Sequence, residues 1–175
     1  MKIKTIAIFG SKSSGKTTTI EVLTKGLTRL GYKVAAVKHI SEPNFTIDTE
    51  GKDTWRFAQS GAKTIVSVAS KEIATIEKVD EKDMQLKSII KKCGENDVIF
   101  LEGFRNLVGK KRSIPKIVVV KAEEEAYEAA KYFKPILAFI SIRPIEKLDL
   151  EIPCVDLSKN PEKIVSIVEA FLKKD

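Results

Sequence analysis

Eight residues near the start of the sequence, Gly10–Thr17, have the types and the spacing of a phosphate-binding loop. They fit the pattern G-x-x-x-x-G-K-[ST]. Glycines let the backbone come close to a ligand, and successive N–H groups then point into one concavity that holds phosphate oxygens. In such a loop Lys16 brings a full charge to the β- and γ-phosphates, and the Thr17 hydroxyl can ligate Mg²⁺. The predicted phosphate ligands are Gly10, Ser11, Lys12, Ser13, Ser14, Gly15, Lys16, Thr17 and Thr18.

The segments on either side of the loop support this interpretation. Ile3 to Phe9 is a short apolar, β-branched run that predicts a buried strand. From Thr17 to Leu30, apolar residues recur at helical spacing. Strand, glycine-bearing loop and helix follow one another in the order that a phosphate-binding loop requires.

A carboxylate follows directly on a second apolar run. Val98–Leu101 predicts a central parallel strand buried on both faces, and Glu102 comes next. Ligands of open parallel sheets lie beyond the carboxyl ends of the strands, so we expect Glu102 beside the phosphate loop. There it could hold Mg²⁺ directly or through water, or polarise an attacking water. Lys16 and Glu102 are therefore predicted catalytic residues, and Thr17 and Glu102 predicted metal ligands; the alternative for Glu102 is a solvated strand end.

Two further groups of charged residues are candidates for the same site. Lys38 and His39 end the second predicted strand on the same edge and could contact phosphate or a second substrate; an ordinary charged pair at a strand end is the alternative. The second group lies at the end of the long polar connection 40–50 and in the helix predicted after it. In this group we predict Asp48 as a metal ligand, Asp53 as a catalytic residue, and Lys52 and Arg56 as phosphate contacts, with an ordinary capping and ion-pair set as the alternative.

A basic segment follows Glu102. Arg105 is a predicted nucleotide contact, and Lys110, Lys111 and Arg112 lie a few residues further on. This segment could close over phosphates as a lid does, or receive an acidic partner. A solvated loop is the alternative.

Strand and helix patterns alternate along the sequence. This alternation predicts an α/β protein with the three-layer fold of P-loop NTPases, in which helices cover a mostly parallel central sheet. Two β-rich runs, 63–69 and 72–78, predict a hairpin at an edge. No linker rich in Pro, Gly or Ser divides the chain, so we predict one nucleotide-binding domain over residues 1–175.

Composition limits the possible classes of protein. The chain has 43% hydrophobic and 31% charged residues, which is typical of a globular protein. No apolar run reaches the roughly 20 residues of a membrane span, and we expect a cytoplasmic protein with no membrane partner. The net charge of +7 comes without a nucleic-acid-reading motif, so we expect no nucleic-acid partner. The single histidine excludes a histidine-rich metal site.

Several of these segments together resemble the MobB proteins, which are GTP-binding accessory proteins of molybdopterin-guanine dinucleotide biosynthesis. The segments that carry the resemblance are, in chain order, Gly10–Thr17 followed by two threonines, Lys38-His39, Asp48–Arg56, Ser60-Gly61-Ala62 and Glu102-Gly103-Phe104. The resemblance implies binding of GTP and Mg²⁺, weak GTP hydrolysis and a homodimer. It also implies a role in assisting the guanylyltransferase MobA, with molybdopterin as a candidate second ligand.

The sequence departs from the family pattern in three places. Ile40–Pro43 follows Lys38-His39, where the family often has several histidines, and Arg105 stands where a lysine is common. An Asn-Lys-x-Asp segment, which would read guanine, is absent from the sequence. Guanine preference therefore follows from the resemblance and not from base-reading residues. A small-molecule kinase that uses ATP or GTP through the same loop is the alternative function.

Overall fold

The protein is represented by a computed structural model that describes residues 3–80, 83–145 and 148–174. The chain divides into two compact units. The first comprises the chain up to His39 together with the chain from Cys93 onward, and the second comprises Ile40–Lys92. The prediction that the whole chain is one domain stays a prediction.

Eight strands and six helices alternate along the described residues. The strands are β1 (Lys4–Gly10), β2 (Val34–Lys38), β3 (Thr64–Val68), β4 (Ile73–Glu77), β5 (Val98–Glu102), β6 (Lys116–Val119), β7 (Ile136–Ser141) and β8 (Cys154–Asp156). The helices are α1 (Lys16–Arg29), α2 (Asp53–Gln59), α3 (Leu86–Lys92), α4 (Arg105–Val108), α5 (Glu123–Tyr132) and α6 (Pro161–Leu172).

The first unit is built on a six-stranded sheet in the order β2-β5-β1-β6-β7-β8, with every neighbouring pair parallel. Every residue of β5 and of β6 is buried, which confirms the prediction of a central strand at Val98–Leu101. A strand with helices on both sides must be apolar on both faces, and this explains the continuous apolar runs in the sequence. The prediction of an α/β fold with a mostly parallel sheet is confirmed.

The helices of the first unit cover both faces of this sheet. On one face, α1 and α6 contribute to the main core; their buried residues there are Leu23, Leu27, Ile164, Val168 and Leu172. On the other face, the ring of Phe133, at the end of α5, packs against Phe9 of β1 with 4.9 Å between ring centroids. Both strands and helices therefore hold β1 at the centre of the unit.

The second unit contains the predicted hairpin, in which β3 and β4 pair antiparallel. Its position differs from the expectation: the two strands form a sheet of their own and are not an edge of the central sheet. The error has a physical cause. A half-exposed strand pair shows the same alternation of residues whether it extends a larger sheet or stands alone.

A fully buried lysine lies at the start of β6. The Nζ of Lys116 donates hydrogen bonds to the backbone oxygens of Lys111, at 2.5 Å, and Lys134, at 3.1 Å. Burial lowers the pKa of this ammonium, because removing it from water penalises the charged form. Lys116 thus connects two loops to the amino-terminal end of the sheet.

In the described part of the chain, no helix is both long enough and apolar enough to span a membrane.

The helices α1 and α6 come into close contact at Gly26. A Cβ atom at this position would lie 2.5 Å from Cγ2 and 2.8 Å from Cγ1 of Val165. Such distances are shorter than van der Waals contact, and a β-branched side chain on a helix has little rotamer freedom with which to move away. The absence of a side chain at residue 26 therefore sets how closely the two helices approach.

We predict that Gly26→Ala lowers the free energy of unfolding by about 1–3 kcal/mol, because overpacking outweighs the higher helix propensity of alanine. Urea unfolding of the purified proteins measures the effect. The Gly26→Ala/Val165→Ala double variant should lose less than the sum of the two single variants, because Val165→Ala makes room for the new methyl group. A Gly26→Ala variant more stable than the parent protein would show that the helices do not constrain each other here.

Candidate functional site

The phosphate loop joins the end of β1 to the start of α1, as predicted. A Cβ atom at Gly10 would lie 2.5 Å from the Oγ of Ser14 and 2.6 Å from the backbone oxygen of Val119. Only glycine fits between these atoms. Gly15 has a φ of 102° and occupies the left-handed region at the N-cap of α1, a conformation that side chains disfavour. The two motif glycines thus meet two different steric demands.

One hydroxyl inside the loop is buried without a hydrogen-bond partner among the described residues. Ser14 is completely buried, and its Oγ has no hydrogen-bond partner among the described residues. An unpaired buried hydroxyl is costly, so such a group normally has an explanation in a ligand or water. The hydroxyl lies beside Gly10, within the turn of the loop, and is shielded from solvent there.

The ammonium of Lys16 lies over the opening turn of the loop. Its Nζ donates to the backbone oxygens of Gly10, at 3.1 Å, and Ser11, at 2.8 Å. The first helical turn presents the exposed side chains of Thr17 and Thr18, while Thr19 is buried and bonds back to the oxygen of Gly15 at 2.9 Å. The loop therefore presents a cation at its opening turn and hydroxyls at its helical end.

The structure brings three predicted site residues together on one side of the loop. A cavity of about 500 Å³ is lined by Thr17, Lys38 and Glu102, together with further polar and apolar residues of α1 and apolar residues of β2. Lys38 and Glu102 are register partners in adjacent parallel strands, and their side chains form an ion pair of 3.8 Å. Glu102 is 9% exposed. The topology of the sheet thus places the carboxylate next to the loop hydroxyl, as the sequence predicted.

The residue after Lys38 packs against the segment that follows Glu102. The backbone N–H of His39 donates to the oxygen of Glu102 at 2.9 Å, and its ring contacts Phe104 edge-on with 5.3 Å between centroids. His39 therefore lies at the same edge of the sheet as predicted, where it joins the ends of β2 and β5. Its side chain is exposed.

The donor set of this cavity suits Mg²⁺ held with a nucleotide. Among residues 3–80, 83–145 and 148–174, no group of three or more His, Cys, Asp and Glu could hold a metal ion. The cavity offers the carboxylates of Glu21 and Glu102 and the hydroxyls of Thr17 and Thr24, which are a sparse set for a metal held by protein alone. Mg²⁺, however, keeps several waters and takes its remaining ligands from substrate phosphates, so one or two protein ligands are sufficient.

A second cavity, of about 300 Å³, lies on the side of β6 and α5. Lys16 and Arg105 line it together with Glu125 of α5. The guanidinium of Arg105 lies 5.0 Å above the ring centroid of Phe133. The segment predicted as a basic loop contains the short helix α4. Arg105, the first residue of α4, lines the same cavity as Lys16.

Sequence reasoning missed two residues that contact the loop. The Nζ of Lys121 donates to the oxygen of Lys12 at 2.6 Å, and Glu125 accepts a hydrogen bond from the Oγ of Ser11 at 3.5 Å. A signal was present in the sequence, since Lys121 directly follows the apolar run of β6 and so had to emerge at the same edge of the sheet as Glu102.

The other predicted site residues belong to the second unit. The Oδ1 of Asp48 accepts hydrogen bonds from the backbone of Thr49, at 2.9 Å, and from the hydroxyl of Thr54, at 2.8 Å. Arg56 and Asp53 form an exposed ion pair of 3.8 Å on α2. The local ion pair is therefore present, whereas no side chain of the described residues caps the start of α2. The predicted roles of Asp48, Lys52, Asp53 and Arg56 at the nucleotide stay predictions.

Comparison with known proteins points to one family. Residues 5–142 match the family model of molybdopterin guanine dinucleotide synthesis protein B, MobB. The molybdopterin-guanine dinucleotide biosynthesis adapter protein of Haemophilus influenzae is 29% identical over 175 residues, which cover 98% of this chain and 90% of that protein. A Methanocaldococcus jannaschii protein with the same name, given provisionally, is 33% identical over 125 residues. That match covers 70% of this chain and 49% of the relative, so the chain spans about half of that protein's length.

Solved structures agree with the sequence matches. A crystal structure of molybdopterin-guanine biosynthesis protein B superposes with a TM-score of 0.73 at 26% identity, covering 97% of this chain and 99% of the other. The structure of Bacillus subtilis MobB gives a TM-score of 0.71 at 21% identity, covering 98% and 99% of the two chains. The family match includes the phosphate loop, β5 and the cavity between them, and it extends over most of the sequence: the chain belongs to the MobB family.

Proposed function

We propose that this protein binds GTP with Mg²⁺ at the loop Gly10–Thr17, hydrolyses it slowly, and acts as an adapter for a MobA-type guanylyltransferase in molybdopterin-guanine dinucleotide synthesis. The observation that carries the proposal is that Thr17 and Glu102 line one cavity at the carboxyl edge of the parallel sheet, where Thr17 directly follows Lys16 of the loop. This combination of groups serves triphosphate and Mg²⁺ together. Membership of the MobB family supports the pathway.

Each group has a distinct task in nucleotide binding. Lys16 would exchange its bonds to two neutral carbonyls for charge-assisted bonds to the β- and γ-phosphates, which are stronger. Thr17 and Glu102 would hold Mg²⁺, which when bound neutralises charge that develops on the phosphates. Lys38 adds a cation to the same cavity.

The reason for proposing GTP and not ATP is the family relationship. The relatives described above are named for the synthesis of a guanine dinucleotide, so GTP is the nucleotide that fits their pathway. Lys16 lines the cavity beside β6, and the next residue, Thr17, lines the other cavity, so a partner protein could approach the loop from either side. Molybdopterin is the candidate second ligand of the assembled complex.

A homodimer belongs to the same proposal, and the hairpin offers a surface for it. Val66, Val68 and Ile73 share one face of the β3–β4 sheet, because Val68 and Ile73 are register partners and Val66 lies two residues before Val68. Their exposed fractions are 54%, 75% and 69%. Adjacent exposed apolar side chains on a short sheet are typical of a surface that another chain covers.

A small-molecule kinase is the second candidate function, and the second cavity is the observation that favours it. Its volume of about 300 Å³ would accommodate an organic acceptor beside Lys16, and Arg105 could stabilise the transferring phosphoryl group there. The adapter proposal has stronger support, because the relatives' names agree on that role.

The phosphate loop and Glu102 give separable predictions. Lys16→Ala should weaken binding of Mg–GTP by about 10- to 100-fold, the loss expected for a charge-assisted bond. Glu102→Gln should weaken binding of Mg–GTP less than Lys16→Ala does, because the amide oxygen can still reach Mg²⁺ or its waters, and should lose turnover by about 100-fold, because the amide cannot accept a proton from water. Calorimetric titration and released phosphate measure the two effects. Lys33→Ala, which removes an exposed lysine outside the site, serves as the charge-matched control for Lys16→Ala.

Retained affinity in Lys16→Ala would contradict nucleotide binding at this loop. Unchanged turnover in Glu102→Gln would remove Glu102 from both the base role and the role of an essential metal ligand.

The hairpin face predicts the oligomeric state. Val68→Glu and Ile73→Glu should each convert a dimer into a monomer in sedimentation equilibrium, because a charge on this face cannot be buried unpaired. Circular dichroism should show an unchanged fold. Lys71→Glu, in the turn between β3 and β4, changes the charge outside the face and should leave the dimer intact. A parent protein that is monomeric at all concentrations would refute the dimer.

The adapter role predicts a complex that depends on nucleotide. The protein should co-elute with a MobA-type guanylyltransferase in size-exclusion chromatography when Mg–GTP is present. Lys16→Ala should abolish the nucleotide dependence. Separate elution of the two proteins with GTP, with GDP and without nucleotide would contradict the proposed partnership.

A further inference from the structure

A lysine from outside the sequence motif reaches the phosphate loop. β6 lies beside β1 in parallel register, with Val119 opposite Gly10. The chain that continues beyond Val119 therefore emerges next to the first residue of the loop. Lys121, two residues after the strand, is exposed and extends its Nζ to within 2.6 Å of the backbone oxygen of Lys12.

Three consecutive carbonyls at the opening of the loop accept hydrogen bonds from lysine ammonium groups. Lys16 donates to the oxygens of Gly10 and Ser11, and Lys121 donates to the oxygen of Lys12. Lys16 is the residue that contacts the β- and γ-phosphates in such loops. The second ammonium therefore lies at the part of the loop that faces the terminal phosphate.

A carboxylate fixes the backbone from which Lys121 extends. The Oε2 of Glu125 accepts a hydrogen bond from the backbone N–H of Lys121 at 2.9 Å, and its Oε1 accepts one from the Oγ of Ser11 at 3.5 Å. Glu125 thus bridges the β6–α5 junction and the loop. The side chain of Lys121 remains mobile beyond this anchor, since lysine is a point charge on a flexible stem with three rotatable donors.

We propose that Lys121 contacts the terminal phosphate of the bound nucleoside triphosphate and gives the site its preference for triphosphate over diphosphate. The proposal rests on the proposed function, since it requires that the loop binds a nucleotide. A phosphate oxygen is a stronger partner for an ammonium than a neutral carbonyl, because the bond is charge-assisted on both sides. A diphosphate lacks the group that Lys121 would contact, so its affinity should be insensitive to this residue.

The experiment compares dissociation constants for Mg–GDP and for the Mg complex of a non-hydrolysable GTP analogue with an imido bridge. Lys121→Met should weaken binding of the analogue by about 10- to 100-fold, the loss expected for one charge-assisted bond, and leave GDP affinity within about twofold. Lys121→Arg should retain most of the affinity for the analogue, because it keeps the charge and the reach. Lys131→Met is the matched control, since it removes an exposed lysine from the end of α5 with the same change in net charge.

The outcomes separate the inference from the function on which it rests. Equal weakening of both nucleotides by Lys121→Met, or the same weakening by Lys131→Met, would overturn the inference and leave nucleotide binding intact. Loss of affinity in Lys121→Arg as large as in Lys121→Met would also overturn it, by showing that packing and not charge matters. A parent protein that binds neither nucleotide would refute the proposed function and the inference with it.

Discussion

The close approach of two strands at Gly10 is the constraint on which the rest of the site depends. β1 ends there beside Val119 of β6, so near that even a methyl group on residue 10 would collide with the neighbouring backbone. Residue 10 must therefore be glycine at the point where the phosphate loop begins. The buried strands β5 and β6 pair with β1 on its two sides and so fix where the loop leaves the sheet.

The parallel topology of the sheet then determines where the charged residues of the site lie. Parallel strands end at one edge, so residues that end β5, β2 and β6 must lie around the loop that ends β1. Glu102 and Lys38 lie on one side of Lys16, and Lys121 and Glu125 lie on the other. The first pair borders the cavity that suits Mg²⁺ and the second borders the opening turn of the loop. In the proposed function, one side of the loop would hold the metal and the other would contact the terminal phosphate.

Sequence reasoning predicted the parts of this arrangement that depend on local pattern and on parallel topology. The loop, its two glycines, the buried strand at Val98–Leu101 and the position of Glu102 were all predictable, because spacing and apolar runs specify them directly. The sequence did not predict that the β3–β4 hairpin forms a sheet of its own. Alternation of apolar and polar residues shows that one face of a strand is covered, but it does not show which strand lies beside it. The short helix at Arg105–Val108 was also missed, because four residues carry no periodicity. The position of Lys121 follows from the same rule as that of Glu102, because residues that come directly after parallel strands emerge at the carboxyl edge of the sheet.

The proposed binding of nucleotide with a preference for GTP can be tested by one titration. Mg²⁺-dependent binding of GTP and ATP is measured side by side, with released phosphate followed in the same samples. We expect tighter binding of GTP, dependence on Mg²⁺ and slow release of phosphate. Tighter binding of ATP, or fast turnover that appears only when a small acceptor is added, would contradict the proposed function and favour a kinase.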